Sequence, residues 1–386
     1  MSQQNTQFKM TVQQNETSYE LGRRLAQGPR KVPSHSGPCD KSARMTQLNI
    51  LQLNIEGLQH KVTELMKMLD DYNIHVALLQ ETLLPKHNIN TPGYTPTKCE
   101  CTNCQGIMTL VRNDVQAEVK NTPIEDIDVQ KIDVWLDKKK YTIYNFYCPP
   151  KSTSDIPLEE TIYKKSIIAG DFNAHMPSLG YNHYNKRGKD LEEICNSTNL
   201  ILEQDMESQP TLLHKAHGTT SRPDLTFVSA DIFEDTSVQV LDGIGSDHRP
   251  TMISTNIKST KDGKTSRRTF WNFRKADWTA YAKKIDEEME NIDVLTPKVE
   301  DVYGKISSAI LKTAKKTIPQ GNHRKFKPFW NKDLDDAVKS REKARKILEK
   351  NRTQANKTNY NRLTAKVRLL TKKSKRNHWK KNLSTA

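Results

Sequence analysis

The chain has 386 residues, of which 34% are hydrophobic and 28% charged, with a formal net charge of +15. That length allows two or three domains, and that composition supports a core only if long polar stretches lie outside it. No run approaches the ~18 apolar residues of a membrane span, and the polar N-terminus lacks the apolar centre of a secretory signal. Membrane residence is therefore set aside, and an intracellular protein with reduced thiols is expected.

The charge is unevenly placed. From Gly321 to Ala386 there are 21 Lys and Arg against 5 Asp and Glu, which leaves residues 1–320 close to neutral. A near-neutral globular part with a basic C-terminal segment should attract a polyanion, nucleic acid first among them. The plainer reading of that segment is a solvated helix surface.

Residues 1–44 carry Gln, Asn, Ser, Gly and Pro with little periodicity and read as a disordered tail. Order is expected from Met45. Leu48, Ile50, Leu51, Leu53 and Ile55 form a strand apolar on both faces, which delivers Asn54 near its end. Leu58, Val62, Leu65, Met66 and Leu69 then recur at helical spacing. Ile74 to Leu79 is a second buried strand, ending in Gln80-Glu81-Thr82. The right-handed crossover rule makes the two strands neighbours, with Asn54 and Glu81 at their ends.

Further along, Ile107 to Val111 is a strand, and residues 132–136 and 141–146 form a hairpin linked by Lys138-Lys139-Lys140. Tyr147-Cys148-Pro149-Pro150 stops it, because proline cannot donate to a sheet. The central stretch is Ile167 to His175. Its apolar strand ends in Gly170-Asp171-Phe172-Asn173, and alternation is expected to point Asp171 and Asn173 to one side and Phe172 to the other. The same letters also suit an ordinary strand-to-turn junction. Gly188 to Asn196 reads as a helix burying Leu191, Ile194 and Cys195. Asp224 to Ser229 is a strand, and Gly245-Ser246-Asp247-His248-Arg249-Pro250 precedes a last one at Thr251 to Ile257. Many strands with few helices between them argue for a layered α/β sandwich with mixed sheets.

Past Lys258, Trp271, Phe273, Trp278 and Tyr281 form an aromatic cluster, followed by helical patterns through Ile285 to Ile318. Pro319-Gln320-Gly321 is a break, and Pro328-Phe329-Trp330 caps a charged helical segment from Asn331 to about Lys381. Leu334-Asp335-Asp336 lies in that charged pattern without β-branched flanks and carries no polymerase role. Cys99, Cys101 and Cys104 are three thiols without a fourth ligand at zinc spacing and read as a loop.

The polar residues gathered at strand ends are Asn54, Glu81, Tyr147, Asp171, Asn173, Asp224, Asp247 and His248. Glu81, Asn54 and Asp247 offer the hard oxygens Mg²⁺ prefers, with Mn²⁺ as its substitute. His248 cannot easily share the carboxylate of adjacent Asp247, so Asp224 is its expected partner. Asp171 would hold or deprotonate a water, with Asn173 beside it. The set suits metal-assisted hydrolysis of a phosphodiester.

Leu53-Asn54-Ile55-Glu56-Gly57, Leu79-Gln80-Glu81-Thr82, Gly170-Asp171-Phe172-Asn173, Arg222-Pro223-Asp224 and Ser246-Asp247-His248-Arg249-Pro250 follow in the order and spacing of the endonuclease/exonuclease/phosphatase superfamily. Across residues 45–258 the chain resembles that superfamily. Ala174-His175 with Arg187-Gly188 and Leu191 resembles the endonuclease domain of non-LTR retrotransposon proteins, and Phe270 to Trp278 resembles the linker after it. The resemblance implies a DNase I-like four-layer α/β/β/α sandwich, and by periodicity and charge a linker with helices (259–320) and a basic helical segment (321–386) follow it. It implies Mg²⁺ dependence and nicking of one DNA strand to leave a 3′-hydroxyl that primes reverse transcription, which places the protein in the nucleus. By family role Glu81 binds metal with Asn54 and Asp247 nearby, Asp171 serves the nucleophile with Asn173 and Tyr147 in support, and His248 paired with Asp224 meets the phosphate. Pro223 departs from the family's branched aliphatic and threatens the placement of Asp224. No reverse transcriptase pattern follows. The competing functions are a same-fold phosphoesterase on another substrate and an inactive retroelement remnant that binds nucleic acid.

Overall fold

Strands with apolar residues on both faces need cover on both faces, and the tertiary structure, a computed structural model, supplies it. Described are residues 47–383 apart from 85–88, 100–105, 123–125, 137–138, 153, 157–163, 205–208, 215–217, 258–274, 291, 293–298 and 320–328. The tail at 1–44, Cys101, Cys104, Trp271 and Phe273 lie outside the described residues. The first elements are β1 (Gln47–Asn54), α1 (Val62–Asp71), β2 (Val76–Gln80), β3 (Tyr94–Cys99), β4 (Ile107–Arg112), β5 (Gln116–Asn121), β6 (Asp128–Leu136), β7 (Lys139–Tyr147) and β8 (Ser166–Asp171). Then come α2 (Lys186–Ser197), β9 (Leu200–Leu202), β10 (Leu212–Leu213), β11 (Thr220–Ser221), β12 (Asp224–Ser229), β13 (Thr236–Val240) and β14 (Thr251–Asn256). Four helices follow: α3 (Trp278–Glu290), α4 (Val299–Thr317), α5 (Lys332–Lys350) and α6 (Gln354–Leu383).

Two six-stranded sheets run in the orders β13-β14-β1-β2-β4-β3 and β5-β6-β7-β8-β12-β9. Both are mixed, since β1–β2 and β7–β8 are parallel and the other pairs antiparallel. Alternation sorts the side chains into three cores. Leu48, Ile50 and Val76 of one sheet meet Ile132, Ile143 and Ile167 of the other. Leu51, Leu53 and Leu79 turn the other way onto Leu65 and Leu69 of α1. Phe146, Ile168 and Phe227 pack outward against Leu191 and Ile194 of α2. The layers are therefore α/β/β/α, as the resemblance implies.

Gly170 is needed for a close approach. It lies inside β8, and a Cβ there would stand 2.0 Å from the Phe146 carbonyl oxygen on β7. The downstream pair His175 and Gly188 is linked in the same way, because a Cβ at Gly188 would meet the His175 carbonyl at 2.0 Å. Asn185 caps α2, accepting from Gly188 N–H at 2.8 Å and His175 N–H at 2.9 Å.

Three local expectations are corrected. Lys139 and Lys140 belong to β7 rather than to a link. The charged segment after Asn331 is two helices, α5 and α6, and Asn331 caps the first by accepting from Leu334 N–H at 3.0 Å. Cys195 is only half-buried on α2, whereas Leu191 and Ile194 are buried as expected. No described helix is long and apolar enough to cross a membrane.

Candidate active site

The facing surfaces of the two sheets change character along the strands. β1 turns inward Leu48 and Ile50, then Gln52 and Asn54; β2 turns inward Val76 and Leu78, then Gln80. On the second sheet Ile143 gives way to Asn145 and Tyr147, and Ile167 and Ala169 to Asp171. β12 runs antiparallel to β8, so its first residue, Asp224, pairs with the last, Asp171, which also pairs with Tyr147 on β7. The inter-sheet layer is thus apolar at one end and polar at the other. The site is built at the polar end.

A continuous chain of contacts joins the expected residues. Tyr147 OH donates to Glu81 Oε1 at 3.0 Å, and Asn54 Nδ2 donates to the same oxygen at 2.9 Å. Asn54 Nδ2 also donates to Asp171 Oδ2 at 2.8 Å, tying the first sheet to the second. His248 Nε2 stands 3.9 Å from that carboxylate oxygen, and His248 Nδ1 is 2.8 Å from Asp224 Oδ2. Pro223 does not displace Asp224: its carbonyl accepts from Phe172 N–H at 3.0 Å and the carboxylate stays within reach of His248.

Two left-handed residues break the strand alternation in opposite senses. Glu81 follows inward-facing Gln80 and would point toward α1, but its φ of +48° swings the carboxylate back inward. Asn173 would share the side of Asp171, yet its φ is also +48° and its amide donates instead to the Cys148 carbonyl at 3.0 Å. Its backbone N–H still reaches Asp171 Oδ1 at 3.2 Å. Such backbone costs roughly 1–3 kcal/mol per residue and persists where the surroundings over-determine it. Asp247 Oδ1 accepts from the Ser246 hydroxyl at 3.3 Å and from His248 N–H at 3.1 Å, so its described contacts shape the loop.

Electrostatics divides the roles. Burial, reinforced by Asp224 and Glu81, holds the Asp171 carboxyl well above the usual carboxylate range, although His248 and Asn54 pull the other way. Burial works against an imidazolium at His248, but Asp224, with Asp171 and Asp247 beyond it, outweighs burial and keeps the ring protonated well above its ordinary value.

The donor set fits a hard divalent cation. Glu81, Asp171 and Asp224 are three carboxylates facing one imidazolium, and among the described residues no Lys or Arg is ion-paired to them. That excess of negative charge, buried at Asp171 and Asp224 and half-buried at Glu81, is what a cation would balance. Asp171, Asp224 and His248 also stand close enough together to hold a metal ion. His248 is committed to Asp224 as an ion pair, however, and a protonated imidazole is not a ligand, so the oxygens carry the fit.

Sequence reasoning missed a second set. Gln52 Nε2 donates to Asp224 Oδ1 at 2.8 Å and to Gln80 Oε1 at 2.9 Å, while Gln80 Nε2 donates to Asn145 Oδ1 at 2.7 Å. Gln52, Gln80 and Asn145 are essentially inaccessible to solvent. The available signal was an amide two residues before Asn54 on the same strand face.

Residues 141–252 match the family model described as endonuclease-reverse transcriptase, a span that includes Tyr147, Asp171, Asn173, Asp224, Asp247 and His248. The chain resembles the endonuclease/exonuclease/phosphatase superfamily and, within it, non-LTR retrotransposon endonucleases. Among solved structures it is similar to the endonuclease domain of TRAS1, a telomere-specific non-LTR retrotransposon, with 18% identity over 54% of this chain and 98% of that one and a TM-score of 0.44. A 3′-5′ exonuclease from Neisseria meningitidis is similar at 17% identity over 54% of this chain and 100% of that one, with a TM-score of 0.43. D. rerio TDP2 complexed with a single-strand DNA product is similar at 15% identity over 55% of this chain and 100% of that one, with a TM-score of 0.39. No curated protein matches the sequence.

Proposed function

We propose that the chain is a Mg²⁺-dependent phosphodiester hydrolase that nicks one strand of DNA and leaves a 3′-hydroxyl for reverse transcription to extend, a role exercised in the nucleus. The observation that carries this reading is the unbroken polar chain from Tyr147 through Glu81, Asn54 and Asp171 to His248 and Asp224, at one end of the inter-sheet layer.

In this reading Asp171 takes the proton of the attacking water. Its raised proton affinity suits a general base near neutral pH, and Asn54 and the Asn173 N–H fix its two oxygens. His248, kept protonated by Asp224, presents Nε2–H to the phosphate oxygen on which charge accumulates. Glu81, steadied by Tyr147 and Asn54, would hold the cation, with Asn54 and Asp247 beside it. Bound there, Mg²⁺ would supply Lewis-acid stabilisation of the phosphate. Nucleic acid is the substrate favoured by charge, since α6 carries ten Lys and Arg and no Asp or Glu.

A plasmid assay tests the reading. Supercoiled DNA should convert to the open circle with Mg²⁺ and not with EDTA, and a polymerase should extend the nicked product. Hydrolysis of small phosphoesters without nicking would favour the same fold on another substrate, and no hydrolysis of either would overturn the assignment.

A further inference from the structure

The basic C-terminal segment is expected to spend its arginines on phosphate, but two of them are buried. On α5 Arg341 and Arg345 are 2% and 1% exposed, and Glu342 is 5% exposed. With Glu349 they lie along one side of the helix, which meets the loop between β13 and β14 that carries Asp247 and His248.

The contacts run to the loop's backbone. Arg345 Nη1 donates to the Ser246 carbonyl at 2.8 Å, and Nη2 donates to the Asp247 carbonyl at 2.6 Å. Arg345 Nε donates to Glu349 Oε1 at 2.9 Å, which holds the guanidinium in plane. Arg341 donates to the Gly243 carbonyl at 2.9 Å while forking onto Glu64 of α1 at 3.1 and 2.7 Å. In the reverse direction, loop residue Arg249, 1% exposed, pairs with Glu342 at 2.5 Å and Glu349 at 2.9 Å. The loop leaves room for this: a Cβ at Gly243 would stand 2.9 Å from Arg345 Nη1.

Burying guanidinium groups is costly unless good geometry satisfies them, and here Arg341 and Arg345 divide their bonds between carbonyls of this loop and the carboxylates of Glu64 and Glu349. The carbonyls of Ser246 and Asp247 belong to the two successive peptides that lead into His248, whose ring must meet Asp224 at 2.8 Å. A lysine could not replace the fork that spans both carbonyls and Glu349. We propose that Arg345 is a positioning residue for His248, locking the backbone of residues 246–247 so that the imidazole is presented to the phosphate. The proposal rests on the hydrolytic reading of the site, and part of its test does not.

Full-length Arg345→Gln, Arg345→Lys and Gly243→Ala proteins should be compared with the wild type by amide hydrogen exchange and by nicking kinetics. Gly243→Ala intrudes on the guanidinium without removing a charge. Exchange over residues 243–250 is expected to speed up in all three while β6, β7 and β8 keep their protection. The kcat should fall about 10- to 100-fold, as for a displaced catalytic group, with KM unchanged and little recovery in Arg345→Lys. Unchanged exchange over 243–250 in folded Arg345→Gln and Gly243→Ala proteins overturns the proposal. So does a loss of activity that tracks a general loss of protection. Faster local exchange in a protein whose wild type does not nick would support the lock and overturn the hydrolytic reading.

Discussion

Gln52 and Asp224 meet across the two sheets at 2.8 Å, on the carboxylate oxygen opposite the one that faces His248. The histidine's partner is thereby gripped from behind by a residue of the other sheet. Gln52→Leu should leave one oxygen of a buried carboxylate without this donor, which typically costs ~1–3 kcal/mol. Urea denaturation should register that loss, and nicking should fall even at temperatures where the variant is fully folded. A variant as stable and active as the wild type would show that Gln52 is only a filler.

Asp171→Asn separates activity from stability. Because burial raises its folded-state pKa above the ordinary value, to about 7, stability is fully present below about 4 and is lost as pH rises through the folded pKa. In EDTA at pH 8 the Asn protein should therefore melt no lower than the wild type, and higher if the carboxylate is the main strain. Its nicking rate with Mg²⁺ should drop by roughly 10²–10⁴, the usual worth of a general base. Nicking at the wild-type rate would remove Asp171 from the chemistry.

Glu81→Gln should act on the metal. Tyr147 and Asn54 can still donate to the amide oxygen, so the fold should hold. The Mg²⁺ concentration for half-maximal nicking should rise several-fold before the limiting rate falls. Titration curves that superimpose on those of the wild type would shift the metal assignment away from Glu81.

On α6, Lys366, Lys372, Lys373 and Arg376 are exposed. Their joint replacement by Gln should weaken DNA binding and flatten its salt dependence, by about 0.9 in log–log slope for each phosphate no longer neutralised. The kcat at saturating DNA should be unchanged. An unaltered slope would show that nucleic acid does not use this helix.

His75 gives a pH signature unrelated to the site. It is 2% exposed and its Nδ1 accepts from Asn49 N–H at 2.8 Å. Burial, with Arg112 nearby, lowers its pKa to about 3. Its ring is thus neutral when folded and charges on unfolding, so stability is complete above about 6.5 and is lost toward pH 3. The slope approaches ~1.4 kcal/mol per pH unit within that window. His75→Asn keeps an acceptor near the Nδ1 position and removes the titration, so its stability relative to the wild type should improve as the pH falls from 7 to 5. A pH-independent difference would contradict the assignment.

Truncation after Ile257 bears on the charge argument as well. By sequence the segment beyond it is a separable basic tail, whereas its removal would take Glu342 and Glu349 from buried Arg249. The same cut opens Arg249 to water, so what is lost is the ion pairs and the surface that α5 covers, not the cost of an unpaired buried charge. The shortened protein should melt well below the full chain, as calorimetry would record.

Much of the site was legible because strand ends are local: apolar runs that end in Asn54 and Asp171, or that follow Asp224, are written in consecutive residues, and so is the layered fold. Asp247 was set aside as the partner of the adjacent His248, and Asp224, the candidate named in its place, stands 2.8 Å from the ring. The fate of Asn173 and of Glu81 was not legible. Alternation predicts the direction of a side chain only while φ stays extended, and one left-handed residue reverses it. Gln52, Gln80 and Asn145 were hidden for another reason: a polar residue inside a strand gains its meaning from the facing sheet.

The C-terminal segment marks the boundary. The sequence alone determined its sign and its helicity, because net charge and periodicity are properties of composition and order. Which cations stay available was decided only by the tertiary structure. Arg341 and Arg345 have the same letters as the exposed arginines of α6, yet α5 lies against the loop before β14 and buries them on its carbonyls. Those contacts span about a hundred residues of chain, and nothing in the local order of either segment encodes the distance between them.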